Sequence, residues 1–421
     1  MSCRSFTAVS RRWVVALVAA LSVAACDRNP AAPSAPAPRP GNGLVGSATG
    51  IRAQDLGVLP GDEWSEATHV AEDGTVYGVS YPPGGGASRY FRWTPTGGMV
   101  QVASIPLPSW PPWQTFSSVV HPWVKGIVTA RNAKGEATGV LCQYDCDDPT
   151  AYGGHVFRSS AGAGAIELDT RRDPFFPDVP EGASHGWGIN RWGHVAGAYW
   201  LSDDPSAFLW TPVDSFRVEG ILSVDNGNTK LNDIDQVVAQ QQDAIHEYAV
   251  VFRPDLSRRA LEPDAASLSF PGVEWSTYAL AQQPTGTLVV GRSLAFGYDE
   301  STGESFYREH AALWRVPALD RAAFPVVNAN PYGGSGGLVH LSTGGQYYQL
   351  YRATQSSPRG PYLELVDWGD GTSSRRTRSN IGVTTSQVHT YRATGVYWVR
   401  VYVKDALGRW GVSERKVTVK P

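Results

Sequence analysis

Apolar and polar residues alternate in short runs separated by glycine, proline and aspartate, and no long stretch has helical periodicity. Alternation with period two predicts β-strands, and the separators predict turns. The same turn-and-strand unit recurs five times, at residues 74–78, 135–139, 193–197, 235–239 and 286–291. The chain is therefore predicted to be all-β and built from internal repeats.

Each repeat continues into an aromatic strand, and these strands set the length of the unit. They lie at residues 90–95, 155–158, 207–212, 250–254 and 311–315. Over the four intervals between Trp93 and Trp314 the spacing averages about 55 residues, enough for a four-stranded blade. We expect a five-bladed β-propeller-like domain.

The order of strands predicts how the ring closes. A further strand follows the aromatic strand in the first four repeats, but none is evident after Trp314. An unassigned strand-like segment, residues 53–59, stands ahead of the first repeat. We expect it to complete the last blade and so remove an exposed sheet edge.

Residues 188–197, 207–210 and 310–314 resemble the HAF family of extracellular repeats, which is named for a His-Ala-Phe strand. The resemblance extends over roughly residues 50–317 and implies an exported, propeller-like domain whose molecular function the motif does not define. The fourth copy departs from the pattern, because Asp235 and Ala239 stand where glycines are expected. His155 and His310 share a repeat position, which indicates blade packing.

After Pro317 the pattern changes to that of a second domain. An apolar strand ending in Trp368 leads into Gly369-Asp370-Gly371-Thr372, and residues 389–391 read His-Thr-Tyr. These motifs resemble the PKD domain, an immunoglobulin-like β-sandwich, and imply adhesion, spacing or contact with carbohydrate or protein. We interpret Asp370 as a turn residue that caps backbone amides. We expect Arg375, Arg376 and Arg378 to share a loop.

The amino-terminal residues predict export and a lipid anchor. A basic start, an apolar run and the small residues before Cys26 resemble a bacterial lipoprotein signal, so residues 1–25 are expected to be removed and Cys26 lipidated. Residues 26–48 are rich in proline and alanine and predict an extended tether. The propeller is then expected over residues 49–322 and the sandwich over 325–421. The expected location is the cell envelope, at the outer membrane or surface.

Two cysteines remain once Cys3 and Cys26 are assigned to the signal and the lipid. Cys142 and Cys146 lie close together between two strands of the second repeat. In an exported protein we expect a small disulfide rather than a metal site, which would need more ligands.

Charge and motifs exclude several functions. The formal net charge of −3 gives no electrostatic case for nucleic acid. Residues 182–186 and 333–337 match the GxSxG pattern, but neither stands at the strand-to-helix turn that a serine nucleophile needs. No catalytic residue, metal site or cofactor is predicted. Four acids near blade turns are of the type that a glycosidase would use, but nothing distinguishes them from surface acids: Glu66, Asp73, Glu181 and Asp233.

Trp110, Trp113 and Trp123 are the candidate ligand-binding residues. They belong to a proline-rich insertion, where stacking on sugar rings is an alternative to burial. The leading hypothesis is a non-catalytic envelope protein that binds glycans or surface proteins and meets the membrane through its lipid. The alternative is a polysaccharide-acting enzyme, a glycoside hydrolase or lyase, with its site at the propeller axis and the PKD domain as an accessory.

Overall fold

The computed structural model of the chain describes residues 50–105, 115–117, 125–142, 154–160, 164–168, 183–200, 205–213, 215–221, 229–242, 246–253, 258–269, 273–284, 286–299, 303–319, 322, 324–331, 337–356 and 358–421. Within these ranges the fold is all-β, as predicted. Its helical elements are single turns: a 3-10 turn at Pro83–Gly85, the helix α1 (Ala265–Leu268) and a 3-10 turn at Leu341–Thr343.

The repeats form antiparallel blades. We call the two strands that flank the repeated turn A and B, the aromatic strand C, and the strand that pairs with the outer edge of C strand D. A separate strand, β1 (Ile51–Gly57), precedes them. Blade one contains β2 (Trp64–Val70), β3 (Val76–Tyr81), β4 (Arg89–Thr94) and β5 (Gly98–Val102). Blade two contains β7 (Lys125–Arg131), β8 (Ala137–Cys142), β9 (His155–Ser160) and β10 (Gly164–Glu167). A fifth strand, β6 (Thr115–Ser117), pairs with β7 at the edge of this sheet. Blade three contains β11 (Ala183–Ile189), β12 (Val195–Trp200), β13 (Pro205–Thr211) and β14 (Ser215–Ile221).

Blades four and five share one eight-stranded sheet. Blade four contains β15 (Lys230–Leu231), β16 (Val237–Gln242), β17 (Glu247–Phe252) and β18 (Arg258–Glu262). Blade five contains β19 (Glu274–Gln282), β20 (Leu288–Asp299) and β21 (Glu304–Arg315), and β1 is its fourth strand. Ala53 pairs with Trp314 in antiparallel register, which confirms that the amino-terminal strand completes the last blade. β1 also pairs in parallel with β18 and so joins the two blades.

The repeated turn between strands A and B requires a left-handed residue. Gly74, Gly135, Gly193 and Gly286 have φ between 73° and 95°. Asp235 fills this position in blade four with φ of 59°, and it is the single non-glycine residue with positive φ in the part of the chain that the structure describes. Aspartate tolerates this conformation better than most residues, so the departure seen in the sequence keeps the turn.

The second glycine of the repeat is required by close contact with strand A. A Cβ at Gly78, Gly139, Gly197 or Gly291 would overlap a backbone carbonyl of that strand, which is the carbonyl of His185 in the case of Gly197. Strand A bulges at this level in all four blades. In blade four strand A is only the two residues of β15, and its register ends before the level of Ala239. The substitution is therefore accommodated there.

Hydroxyl side chains in strand A join neighbouring blades. Ser65 Oγ accepts from the backbone N–H of Ala311 at 2.8 Å, and Thr277 Oγ1 accepts from Ala249 at 3.1 Å. Ser184 Oγ accepts from Val156 at 3.1 Å in the same way and is fully buried. Ser184 therefore holds blade three to blade two, in agreement with the interpretation that it is not a nucleophile.

The sandwich contains two sheets. Its three-stranded sheet has β22 (Val326–Pro331), β24 (Gln346–Thr354) and β27 (Thr385–Thr390). Its five-stranded sheet has β23 (Leu338–His340), β25 (Tyr362–Asp367), β26 (Ser373–Arg378), β28 (Gly395–Lys404) and β29 (Trp410–Lys420). The two sheets enclose a core around Trp368, whose backbone carbonyl accepts from the Tyr391 hydroxyl at 2.9 Å.

The sandwich and the blades pack into one compact unit, Ser47–Pro421. We call the end of the propeller that carries the turns between strands A and B the A–B end, and the opposite end the B–C end. Blade three contacts the sandwich at the A–B end through an apolar cluster. Trp192 and Val213 of the propeller pack there with Leu365, Tyr402 and Trp410 of the sandwich.

Candidate functional site

A buried charge network links the propeller to the sandwich at the A–B end. Arg400 donates from both terminal nitrogens to the two oxygens of Glu136, at 2.8 and 2.7 Å, and from Nε to Glu414 at 2.8 Å. Arg158 bridges Glu136, at 2.9 Å, and Asp367, at 3.1 Å. These side chains bond to one another at the interface, so we assign the network to packing of the two parts rather than to a ligand.

The electrostatics of Glu136 agree with that structural role. Burial acts to raise the pKa of the carboxyl, but the guanidinium groups of Arg158 and Arg400 outweigh it and hold the pKa well below its usual range. Burial acts to lower the pKa of Arg158 and of Arg400, but the adjacent carboxylates outweigh it and keep both arginines charged. The A–B end is thereby occupied by the protein itself over blades two and three.

At the B–C end, tyrosine hydroxyls and glutamate carboxylates from three blades lie side by side. Tyr81 donates to Glu66 at 3.0 Å in blade one. Tyr278 of blade five donates to Glu247 of blade four at 2.8 Å. Tyr307 donates to Glu309 at 2.8 Å. We call these three pairs the tyrosine–glutamate cluster.

Arg292 is the cation within this cluster. Its Nη1 donates to Glu309 at 2.7 Å, and its guanidinium carbon lies 4.6 Å from the centre of the Tyr278 ring. The side chain is one-third exposed. It therefore combines a carboxylate contact with an aromatic face at the rim of the propeller.

Neighbouring aromatic rings extend the surface. Trp64 and Tyr81 are cross-strand partners and stack with ring centres 3.5 Å apart. The long hairpin of β20 and β21 extends beyond the tyrosine–glutamate cluster. Its residues Phe296, Tyr298 and Tyr307 are exposed by 41%, 60% and 61%. Phe296 pairs with Tyr307, and Tyr298 is two residues farther along β20, so all three rings project from one face of the hairpin. We call these three residues and the Trp64–Tyr81 stack the aromatic ledge.

The tyrosines of the cluster are protonated at neutral pH. Burial and the carboxylate of Glu66 raise the pKa of Tyr81 to about 12. Burial and the hydrogen bond to Glu309 raise the pKa of Tyr307 to about 12 in the same way. These hydroxyls therefore act as hydrogen-bond donors and not as anions.

The candidate residues identified from the sequence are only partly placed. Cys26, Trp110, Trp113, Trp123 and Cys146 lie outside the described residues, as do Glu181 and Ser335, and Cys142 is described only as part of β8. The binding and disulfide predictions therefore stay predictions. The segment that carries the three tryptophans follows β5 and precedes β7, two strands whose adjoining ends, Val102 and Lys125, both lie at the B–C end.

Three of the four acids named as glycosidase candidates are described, and these three do not converge. Glu66 belongs to the tyrosine–glutamate cluster at the B–C end. Asp73 and Asp233 lie at the A–B end, where they accept from the backbone N–H groups of Thr75 and Arg191, each at 2.9 Å. Sequence periodicity places these acids near turns but does not tell which end of a blade a turn occupies. Glu309 and Arg292 carry no sequence signal for the site.

The histidine and sandwich predictions can be checked directly. His155 contacts Glu167 and His310 contacts Asp55, in each case from strand C to strand D, which confirms a shared packing position. Asp370 accepts from the backbone N–H of Thr372 at 3.1 Å, and Gly369 and Gly371 have positive φ, as the turn interpretation requires.

One prediction about the sandwich is wrong. Arg375, Arg376 and Arg378 do not share a loop, because they lie on strand β26 and pair with β25. Arg378 forms an ion pair with Glu364, with Nε 3.0 Å from the nearer carboxylate oxygen. The alternation of side chains along the strand separates Arg375 from its neighbour Arg376, so the three charges do not form one patch.

Over the part of the chain that the structure covers, no group of three or more His, Cys, Asp and Glu side chains could hold a metal ion. Within the same residues no helix has the length and apolar character to span a membrane.

No protein-family model matches the chain, and no curated protein matches it. Several solved structures show distant likeness. The PKD domain of an M14-like peptidase from a Thermoplasmatales archaeon is 22% identical over 23% of this chain and 97% of that domain, with a TM-score of 0.20. The extracellular domain of a protein described as a hybrid two component system, from B. thetaiotaomicron, is 9% identical over 85% of this chain, with a TM-score of 0.22.

A virginiamycin B lyase from Staphylococcus aureus is 10% identical over 86% of this chain and 98% of that enzyme, with a TM-score of 0.21. This chain spans 50% of the length of the B. thetaiotaomicron domain. At these identities and TM-scores, the activities of the three proteins are not carried over to this chain.

Proposed function

We propose that the chain is an exported, lipid-anchored binding protein of the cell envelope that holds glycans at the B–C end of its propeller. The observation that supports this most is the aromatic ledge. Its hairpin rings remain about half exposed although they sit on one face of an ordered strand pair. Aromatic rings offer flat apolar faces on which sugar rings stack.

The neighbouring polar groups suit a carbohydrate. Sugar hydroxyls need both donors and acceptors, and the cluster supplies protonated tyrosines, carboxylates and the Arg292 guanidinium within one surface. The opposite end of the propeller is covered over blades two and three by the sandwich. Over these two blades the sandwich therefore leaves a ligand no access to the A–B end.

The binding test is a polysaccharide pull-down with the soluble Cys26→Ser form. Replacing both Tyr298 and Tyr307 by alanine removes two exposed rings, each worth about 0.5–1.5 kcal/mol when stacked, so we expect roughly 10-fold weaker retention. Tyr348→Ala is the matched control, because Tyr348 is an exposed tyrosine of the sandwich. Equal retention of the double variant and the control would contradict the proposal.

The predicted tryptophan site can be tested in the same assay. A triple Trp110, Trp113 and Trp123→Ala variant should also lose retention if that segment contributes to the surface. Unchanged retention of the triple variant would restrict the site to the described aromatic ledge.

The second candidate function is a polysaccharide-acting enzyme at the same end. It is favoured by one observation: Glu66 accepts from the hydroxyl of Tyr81 at 3.0 Å, and the charges of Glu66 and Glu309 both raise the pKa of that hydroxyl. Glycosidases use two carboxyl groups that lie about 5–10 Å apart. Reducing ends released during the pull-down, and abolished by Glu66→Gln, would replace the binding proposal by this one.

The anchor needs its own test. Cys26→Ser should abolish metabolic palmitate labelling and release the protein from the membrane fraction. Labelling that persists in this variant would contradict lipidation at Cys26.

A further inference from the structure

We infer that the glycan bound at the B–C end carries ammonium groups, as an amino-sugar polymer does. This inference rests on the proposed function, because it names the class of glycan for the same site. It comes from the charges that surround the aromatic rings and from the one cation that the protein already places among them.

Carboxylates outnumber cations at the aromatic ledge. Glu66 is bonded to Tyr81, and the backbone N–H of Glu63 donates to the carbonyl of Tyr81 at 2.9 Å, which places Glu63 at the same rim. Glu309 is the third acid, and Arg292 bonds to it. Neither Glu63 nor Glu66 forms an ion pair with any residue that the structure describes. With Glu247, which accepts from Tyr278, four acids therefore lie around Arg292, and the nearby Arg89 is already paired with Asp62.

Arg292 shows which ligand group this surface accommodates. Its guanidinium lies over the face of Tyr278 and against the carboxylate of Glu309. Cations bind at such places because the ring face and the carboxylate are both negative. The Trp64–Tyr81 stack with Glu66 offers the same combination of ring face and carboxylate.

A ligand ammonium group would supply the missing positive charge. An acidic polysaccharide would bring like charge to Glu63 and Glu66 and be repelled. A neutral polysaccharide would stack on the rings without the electrostatic gain. A glucosamine polymer combines ring faces for stacking with one amine in each sugar, so it matches both features.

The experiment compares oligomers of glucosamine and of N-acetylglucosamine of equal length, titrated into the soluble Cys26→Ser form by calorimetry at a pH below the pKa of the amine. We expect the glucosamine oligomer to bind about 10-fold more tightly, and its affinity to fall with added salt. Glu66→Gln should lower the affinity for the glucosamine oligomer more than the affinity for the acetylated oligomer, and so remove most of this difference. Glu72→Gln is the matched control, because Glu72 is an exposed glutamate at the A–B end of the same blade.

The outcomes separate the two proposals. Equal affinity for the two sugar oligomers would overturn the ammonium inference and leave glycan binding intact. Binding of neither oligomer, nor of any neutral polysaccharide, would overturn the proposed function itself. A lysine oligomer of the same charge is the third ligand, and affinity equal to that of the glucosamine oligomer would overturn the assignment to a glycan.

Discussion

Replacing Arg400 by methionine should destabilise the protein and loosen the sandwich from the propeller. Arg400 is fully buried and makes three hydrogen bonds of 2.7–2.8 Å, two to Glu136 in blade two and one to Glu414 in β29. Removing one partner of a buried ion pair costs about 3–5 kcal/mol, because the other charge stays buried. In the variant Glu136 still forms its ion pair with Arg158, and Glu414 still forms its ion pair with Lys134. We therefore expect the free energy of unfolding to fall by about 3 kcal/mol, at the low end of this range.

The assay is urea unfolding at neutral pH, followed by tryptophan fluorescence. The parent should unfold in one transition, because the blades and the sandwich share a buried interface, and the variant should unfold earlier or in two steps. Arg415→Met is the matched control, since Arg415 is an exposed arginine of the same hairpin and should cost well under 1 kcal/mol. A loss for Arg400→Met no larger than that of the control would refute this reasoning.

Three further predictions test the fold. Deleting residues 50–58 should remove strand β1, expose the edge of β21 and lower the melting temperature of the whole propeller. Deleting residues 27–45 should leave the melting temperature unchanged. Equal melting temperatures for the two deletions would argue against ring closure by β1. Gly197→Ala should lower the free energy of unfolding by more than about 2 kcal/mol, because the Cβ of the new alanine would overlap the carbonyl of His185. Ala239→Gly should lower it by less than about 1 kcal/mol. Similar losses for the two variants in chemical unfolding would contradict the contact. Because Arg158 and Arg400 lower the pKa of Glu136 on folding, the free energy of unfolding should be highest above pH 5 and should fall as acid protonates this carboxyl. In a Glu136→Gln variant the free energy of unfolding should depend less steeply on pH in acid. An unchanged pH dependence would count against the network.

The local parts of the fold follow from the sequence because they depend on neighbouring residues. The turn glycines, the aromatic strands and the GDGT turn each specify a backbone geometry within a few positions. Ring closure could also be predicted, since one blade lacked a strand and residues 53–59 offered one. The loop predicted for Arg375, Arg376 and Arg378 was wrong because pairing with β25, which is set by tertiary contact, overrode their polarity.

The contacts that define the two ends of the propeller could not be predicted. Arg400 and Glu136 are 264 positions apart, and nothing local to either residue indicates the other. The tyrosine–glutamate cluster likewise combines blades four, five and one, so Glu66 was recognised as a candidate without its partners. A repeat pattern gives the strands of each blade but not which side chains meet at the rim between blades.

A crystal structure of the soluble Cys26→Ser form with a bound glucosamine oligomer tests the central claim most directly. We predict sugar rings against Tyr298, Tyr307 or the Trp64–Tyr81 stack, with an amine within hydrogen-bonding distance of Glu66. Sugar bound only at the A–B end or on the sandwich, with these residues uncovered, would contradict the assignment of the B–C end as the binding surface.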